Sequence, residues 1–356
     1  MLLEIHISGV RNIESANIQL GETFNVFFGE NGSGKTSVLE SIYLLATSKS
    51  FRSIQARKII NVNNHSLTVF GRIQKLNDVF KVGLEKRIDA NTIRINGNDI
   101  RVLSELLECL PVLVVEQDSH KLLESGPLWR RKFIDWGLFH VKHDFTSIWR
   151  DYRKSLKQRN ILLVQNAASD VISSWTQGLV SLGERYSALR EEYLSLLVPY
   201  FIRYANALLG DENYSLVYKR GWPKDVSLNQ CLCDHLHKDR IRGRTSYGPH
   251  RADLLVKIQG KDARDHVSRG QQKLLVYALN LAQVSLLKEV KQKQTLLLLD
   301  DLGSELDVRH STNLLSLLQE NFGQVCITTA SLDSVPVANM KKVKLFHVEH
   351  GKVTEV

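Results

Sequence analysis

The sequence predicts a mixed α/β fold with an antiparallel β region and an inserted helical lobe, and three observations carry that prediction. The apolar run Phe24 to Phe28 passes straight into a glycine-rich loop and then into residues spaced as a helix. Between Ser66 and Ile100 the apolar pattern alternates with period two, the signature of half-buried strands. From Leu128 to about Leu209 it recurs at three and four, the signature of helices.

In chain order, Leu3 to Ile7, Asn17 to Leu20 and Phe24 to Phe28 read as short strands. Val38, Leu39, Ile42, Leu45 and Ala46 place an amphipathic helix from Lys35 to about Thr47, so the glycine loop sits at a helix N-terminus. Leu67 to Phe70, Val79 to Val82 and Ile93 to Ile95 form the antiparallel region, with Asn96-Gly97 as a type I′ hairpin turn. Pro111 to Val115 reads as a buried strand. Pro127 and Gly210-Asp211 bracket the helical stretch, which is long enough for three or four packed helices.

Strands are expected again at Tyr214 to Lys219 and Asp253 to Ile258, and a helix from Gln271 to Leu287. The apolar run Thr295 to Leu299 ends in Asp300-Asp301; a helix (about Arg309 to Asn321), a strand (Val325 to Thr329) and a hairpin around His350-Gly351 follow. The expected division is an α/β head made of 1–125 and 211–356, with 126–210 as the helical lobe.

Composition narrows the class of partner. The chain has 356 residues, 43% of them hydrophobic, enough for a sizeable core. No run of eighteen uncharged apolar residues is present, and the four scattered cysteines make no disulfide framework, so a cytoplasmic protein without a membrane partner is expected. The formal net charge of +9 favours polyanions, because clustered Lys and Arg gain by releasing counterions from phosphate. Charge alone does not separate DNA from RNA or acidic lipid.

The sharpest motif is Gly29-Glu30-Asn31-Gly32-Ser33-Gly34-Lys35-Thr36, which matches G-x-x-x-x-G-K-[ST] between a strand and a helix, the context that pattern requires. Its glycines let backbone N–H groups turn toward the phosphates of ATP; Lys35 adds a point charge and the Thr36 hydroxyl a ligand for Mg²⁺. Asp300, at the end of an apolar strand, is the expected second Mg²⁺ residue, and Asp301 the candidate general base that polarises water. Paired aspartates alone would read as a strand end; the upstream loop reverses that. Ser268-Arg269-Gly270-Gln271 opens a helix and resembles the L-S-G-G-Q signature of ABC-type ATPases, although S-x-G-Q in isolation is also an ordinary helix cap.

By the same resemblance, Gly303-Ser304-Glu305-Leu306-Asp307 corresponds to a D-loop and Gln117 to a Q-loop glutamine; Thr328-Thr329 stand where transporter members carry a histidine. Taken together, Leu2 to Asn12, the glycine loop, Ser50-Phe51-Arg52-Ser53, Gly126-Pro127 with Arg130 to Asp135, Gly248 to Leu254, Ser268 to Gln271 and Ser304 to Asp307 resemble the RecF family of bacterial recombinational-repair ATPases across essentially the whole chain. The resemblance implies an ABC-type head related to SMC proteins, ATP-dependent homodimerisation, DNA binding, slow hydrolysis, and work with RecO and RecR. In such a dimer Ser268, Gly270 and Gln271 of one copy complete the nucleotide site of the other.

For DNA, the segment from Arg130 to Arg159 offers Arg130, Arg131, Lys132, Lys142, Arg150, Arg153, Lys154, Lys157 and Arg159, with Arg150, Arg153, Lys154 and Lys157 on one helical face. A solvated charged face is the plainer alternative. Trp149 and Tyr152 read as core. Cys231, Cys233, His235 and His237 are not read as a zinc site, since Ser227 opens a helix there and i, i+2 residues diverge on a helix. His250 reads as structural. Two rival functions stand beside the repair ATPase: a scaffold that recruits partners with incidental hydrolysis, and a transporter motor subunit.

Overall fold

The structure is a computed structural model describing residues 1–75, 78–100, 103–302 and 306–356. The chain divides into two compact units, one of residues 1–119 with 287–356 and one of residues 120–286.

The first unit holds two sheets. Strands β1 (Leu2–Val10), β2 (Ile13–Gln19), β4 (Ser66–Lys75), β5 (Asp78–Arg87), β6 (Asn91–Ile95) and β7 (Asn98–Asp99) form an antiparallel sheet in the order β2-β1-β4-β5-β6-β7. Strands β3 (Phe24–Phe28), β8 (Val112–Val115), β12 (Leu296–Leu299), β13 (Val325–Thr329), β14 (Val343–Glu349) and β15 (Lys352–Glu355) form the other, in the order β15-β14-β3-β13-β12-β8. In it, β14, β3, β13, β12 and β8 run parallel, and the mostly apolar, largely buried runs of β3, β13, β12 and β8 are what a sheet covered on both faces requires. Gln324, buried just before β13, bonds both backbone groups of Leu2, accepting from its N–H and donating to its carbonyl at 2.8 Å each, which ties the two sheets together.

Helix α1 (Lys35–Thr47) departs from the sequence expectation. It is not amphipathic in burial: eleven of its thirteen residues are buried, because it packs on β1 and β4 of one sheet and on β8 and β13 of the other. Ser37, Glu40 and Ser41 are therefore interior. Short α2 (Leu103–Cys109) packs on α1, and α11 (Val308–Asn321) is capped by Asp307, which accepts from the His310 N–H at 2.8 Å.

The second unit combines α3 (Lys121–Glu124), α4 (Pro127–Val141), α5 (Phe145–Val164), the 41-residue α6 (Ser169–Leu209), α7 (Leu228–Asp234), α8 (Leu236–Arg242), α9 (Ala263–His266) and most of α10 (Arg269–Lys291) with a small antiparallel sheet. That sheet has the order β11-β10-β9, from β9 (Tyr214–Lys219), β10 (Asp253–Ile258) and β11 (Lys261–Asp262). Pro127 and Gly210 do bracket the long helices, as N1 and C-cap residues. Residues 211–286, placed with the head in the expected division, group by contact with the helices, since β9 packs on α6 and β10 on α4. Helix α7 is capped by Ser227, which accepts from Gln230 N–H at 3.1 Å, and it buries Cys231 while exposing Cys233.

A polar network holds this unit. Arg190, 1% exposed, makes two bonds to Asp135 through Nη2 at 2.8 and 3.0 Å and donates to the Pro249 carbonyl at 2.7 Å. His250 Nε2 lies 3.0 Å from the Thr245 carbonyl, which can only accept, so Nε2 carries the proton and Nδ1 accepts from Tyr152 Oη at 2.7 Å. Burial pushes this imidazole down to about 4, so both ring nitrogens are engaged in a neutral, structural role. Among the described residues no helix is long and apolar enough to cross a membrane.

Candidate nucleotide site

The loop Gly29 to Gly34 connects β3 to α1. Gly29 (φ 150) is obligatory by space, since a Cβ there would stand 2.2 Å from the Val348 carbonyl oxygen. The Lys35 ammonium curls back over the loop and donates to the carbonyls of Gly29 at 2.7 Å and Glu30 at 2.8 Å. Burial lowers its pKa, opposed by the negative charges of Asp301 and Asp300. No side chain caps the first turn of α1, and the buried Ser33 hydroxyl finds no partner among the described residues. Unclaimed donors around a helix N-terminus suit a phosphate group.

Across 264 residues of sequence, the Thr36 hydroxyl donates to Asp300 Oδ1 at 2.9 Å, and the Thr328 hydroxyl donates to the same oxygen at 2.7 Å. The register explains the meeting: β12 and β13 are parallel neighbours, so Asp300, just past β12, lies beside Thr328 on β13. Octahedral Mg²⁺, with ligands at about 2.1 Å, sets adjacent oxygens about 3 Å apart, so the Thr36–Asp300 spacing fits that ion. Burial and the charge of Asp301 raise the Asp300 pKa, while its two hydroxyl donors and Arg52 pull it down. Asp301 donates its N–H to Thr328 Oγ1 at 2.8 Å and holds a left-handed backbone, φ 57.

Several contacts here escape sequence reasoning. Thr328 organises both aspartates, whereas Thr329 turns away to bond the Ser331 carbonyl at 2.8 Å and the Ser334 hydroxyl. Glu40, 0% exposed on α1, is paired with Arg11 through two bonds of 2.9 Å and with Arg52 at 3.9 Å, and accepts a hydrogen bond from the Ser50 hydroxyl. Gln117 opens a single 3₁₀ turn after β8. Of the expected D-loop, Gly303, Ser304 and Glu305 lie outside the described residues.

The signature residues belong to the second unit, exposed at the start of α10. Ser268 N–H donates to Gln271 Oε1 at 3.0 Å and Gln271 N–H to Ser268 Oγ at 3.3 Å, a reciprocal capping box. The basic segment needs correction. Arg130 is buried against Asp253 at 2.6 Å and Arg159 against Asp239 at 2.9 Å, so neither faces solvent. Arg131 donates to the Ala252 carbonyl at 2.8 Å and Lys142 pairs with Glu192. Lys132, Arg150, Arg153, Lys154 and Lys157 remain exposed, with Arg153 stacked 4.6 Å over Trp149. Buried cations look like surface ones in sequence because their partners lie about a hundred residues away.

Comparison with known proteins shows similarity along essentially the whole chain. The model of the RecF/RecN/SMC N-terminal domain matches residues 1–354. Proteins named DNA replication and repair protein RecF from Hydrogenovibrio crunogenus and Stutzerimonas stutzeri are 37% and 40% identical, covering 99% and 100% of this chain and 99% and 97% of theirs. A solved structure of the recombination mediator RecF with ATPrS, in the RecFOR pathway, superposes with TM-score 0.89 at 26% identity, over 100% of this chain and 98% of that one. The Smc head of Pyrococcus furiosus, at 16% identity and TM-score 0.60 over 100% of this chain and 96% of that one, shares the fold.

Proposed function

Because the chain belongs to the RecF/RecN/SMC family, we propose that it is an ATP-binding protein of DNA replication and recombinational repair in the bacterial cytoplasm, working as a weak, DNA-stimulated ATPase. The observation that carries the reading is the meeting of Lys35, Thr36, Asp300 and Thr328 around one loop. In this reading the loop backbone and Lys35 hold the β- and γ-phosphates, Thr36 and Asp300 hold Mg²⁺, which supplies charge neutralisation when bound, and Asp301 orients the attacking water as general base.

Ser268, Gly270 and Gln271 of a second copy complete each site, so ATP drives dimerisation and hydrolysis releases it. The expected head, 1–125 with 211–356, is then a functional grouping, because it holds both the loop and the signature. The exposed face Arg150, Arg153, Lys154 and Lys157 contacts DNA phosphates, and RecO and RecR are the expected partners in loading recombinase at gaps. The test is ATPase rate against protein concentration, with and without duplex DNA. A second-order rise that DNA steepens is expected; a strictly first-order rate indifferent to DNA removes the composite site.

A further inference from the structure

Two hairpin turns from distant parts of the chain end on the phosphate loop. One is Arg11-Asn12 between β1 and β2; the other is His350-Gly351 between β14 and β15. The Asn12 side chain donates through Nδ2 to the Gly32 carbonyl at 3.2 Å and accepts through Oδ1 from the Ser37 hydroxyl at 3.0 Å, spanning the loop to the first turn of α1. Gly351 N–H donates to the Ser33 carbonyl at 2.8 Å. The two turns also interlock, since a Cβ on Gly351 (φ 79) would lie 2.1 Å from the Asn12 carbonyl oxygen.

The first turn is itself anchored. Arg11, at φ 54, donates its N–H to the Ile59 carbonyl at 2.8 Å and grips buried Glu40 with two bonds of 2.9 Å. Glu40 sits on α1, so the turn is fixed to the same helix whose N-terminus it steadies. Peptide planarity adds the functional consequence. The C=O of one residue and the N–H of the next point opposite ways, so pinning the Ser33 carbonyl toward Gly351 turns the Gly34 N–H away from it.

We propose that the two turns form a brace that presets the phosphate loop, making Asn12 and Gly351 positioning residues that act through the loop without touching nucleotide. The proposal rests on the reading of Gly29 to Thr36 as a nucleotide site. Glycine-rich backbone loses much conformational freedom when it closes on a ligand, and a loop already held loses less. Weakening the brace therefore costs ground-state affinity. Turnover survives, because bound phosphates themselves hold the loop.

The experiment measures mant-ATP affinity together with KM and kcat in Asn12→Ala, Gly351→Ala, Lys35→Ala and a control, Gly97→Ala. Gly97 occupies a left-handed hairpin position (φ 87) with nothing within 4 Å, so it reproduces the backbone strain of Gly351→Ala away from the loop. Losing the two side-chain hydrogen bonds of Asn12, or forcing the two turns apart with a methyl at Gly351 that meets the Asn12 carbonyl, predicts a rise in Kd and KM of about five- to tenfold in the first two variants, with kcat within about twofold of wild type. The control keeps wild-type values. Wild-type Kd in Asn12→Ala, in a protein whose Lys35→Ala variant no longer binds, overturns the brace and leaves the nucleotide site standing. Equal loss in Gly97→Ala also overturns it, as general strain. Failure of the wild type to bind mant-ATP removes the site reading, and the brace with it.

Discussion

Two helices in this molecule begin with termini suited to phosphate, and they are built in opposite ways. Helix α1 starts after a glycine with no side-chain cap, and the loop before it is held from outside by Asn12 and Gly351. Helix α10 closes on itself, with Ser268 and Gln271 satisfying each other's backbone N–H groups. The first can receive an anion at once. In the proposed dimer the second would exchange its own cap for the ligand, with a second copy already holding ATP contributing to the exchange. That asymmetry is what a site split between two chains needs: capture by one half, commitment by the other.

The largest way to break the comparison is Lys35→Ala. Removing a buried charged donor from the receptive terminus should weaken ATP binding about a hundredfold or more, read by fluorescent-nucleotide titration. Ser268→Ala probes the self-capped terminus. It should leave the affinity of a single chain unchanged while second-order hydrolysis falls about tenfold or more, and loss of the cap should cost about 1 kcal/mol in denaturant unfolding. If Ser268→Ala hydrolyses ATP at the wild-type rate, the two termini do not cooperate. Thr328→Ala tests the aspartates beside the first of them; with one donor to Asp300 gone, kcat should fall about tenfold with a smaller change in nucleotide affinity. The smallest effect concerns DNA. Lys154→Ala should reduce the slope of log affinity against log salt by about 0.9 for duplex DNA, the release of one counterion, and an unchanged slope would take that face out of the interface.

Much of the receptive terminus was legible in sequence because its parts are neighbours. The strand Phe24 to Phe28, the loop and the helix from Lys35 to Thr47 lie where local spacing put them. What escaped were long-range pairings. Thr328 meets Asp300 only because two parallel strands bring them side by side, and Glu40 could not be read as buried while α1 was expected to have a wet face. Arg130 and Arg159 failed in the opposite direction, counted as surface charge when Asp253 and Asp239 draw them inside. Two strands of the small sheet, β9 and β10, were expected from sequence and β11 was not, and periodicity says nothing about which layer a strand packs against, so the grouping of the sheet with the helices was invisible.

Asp301 carries a practical consequence for anyone who wishes to arrest this protein in its loaded state. Its backbone lies at φ 57, a region that asparagine tolerates almost as readily as aspartate and that alanine or glutamate resists. Asp301→Asn thus deletes the charge and spares the conformation, whereas an alanine scan would distort the turn beside Asp300 and blur chemistry with shape.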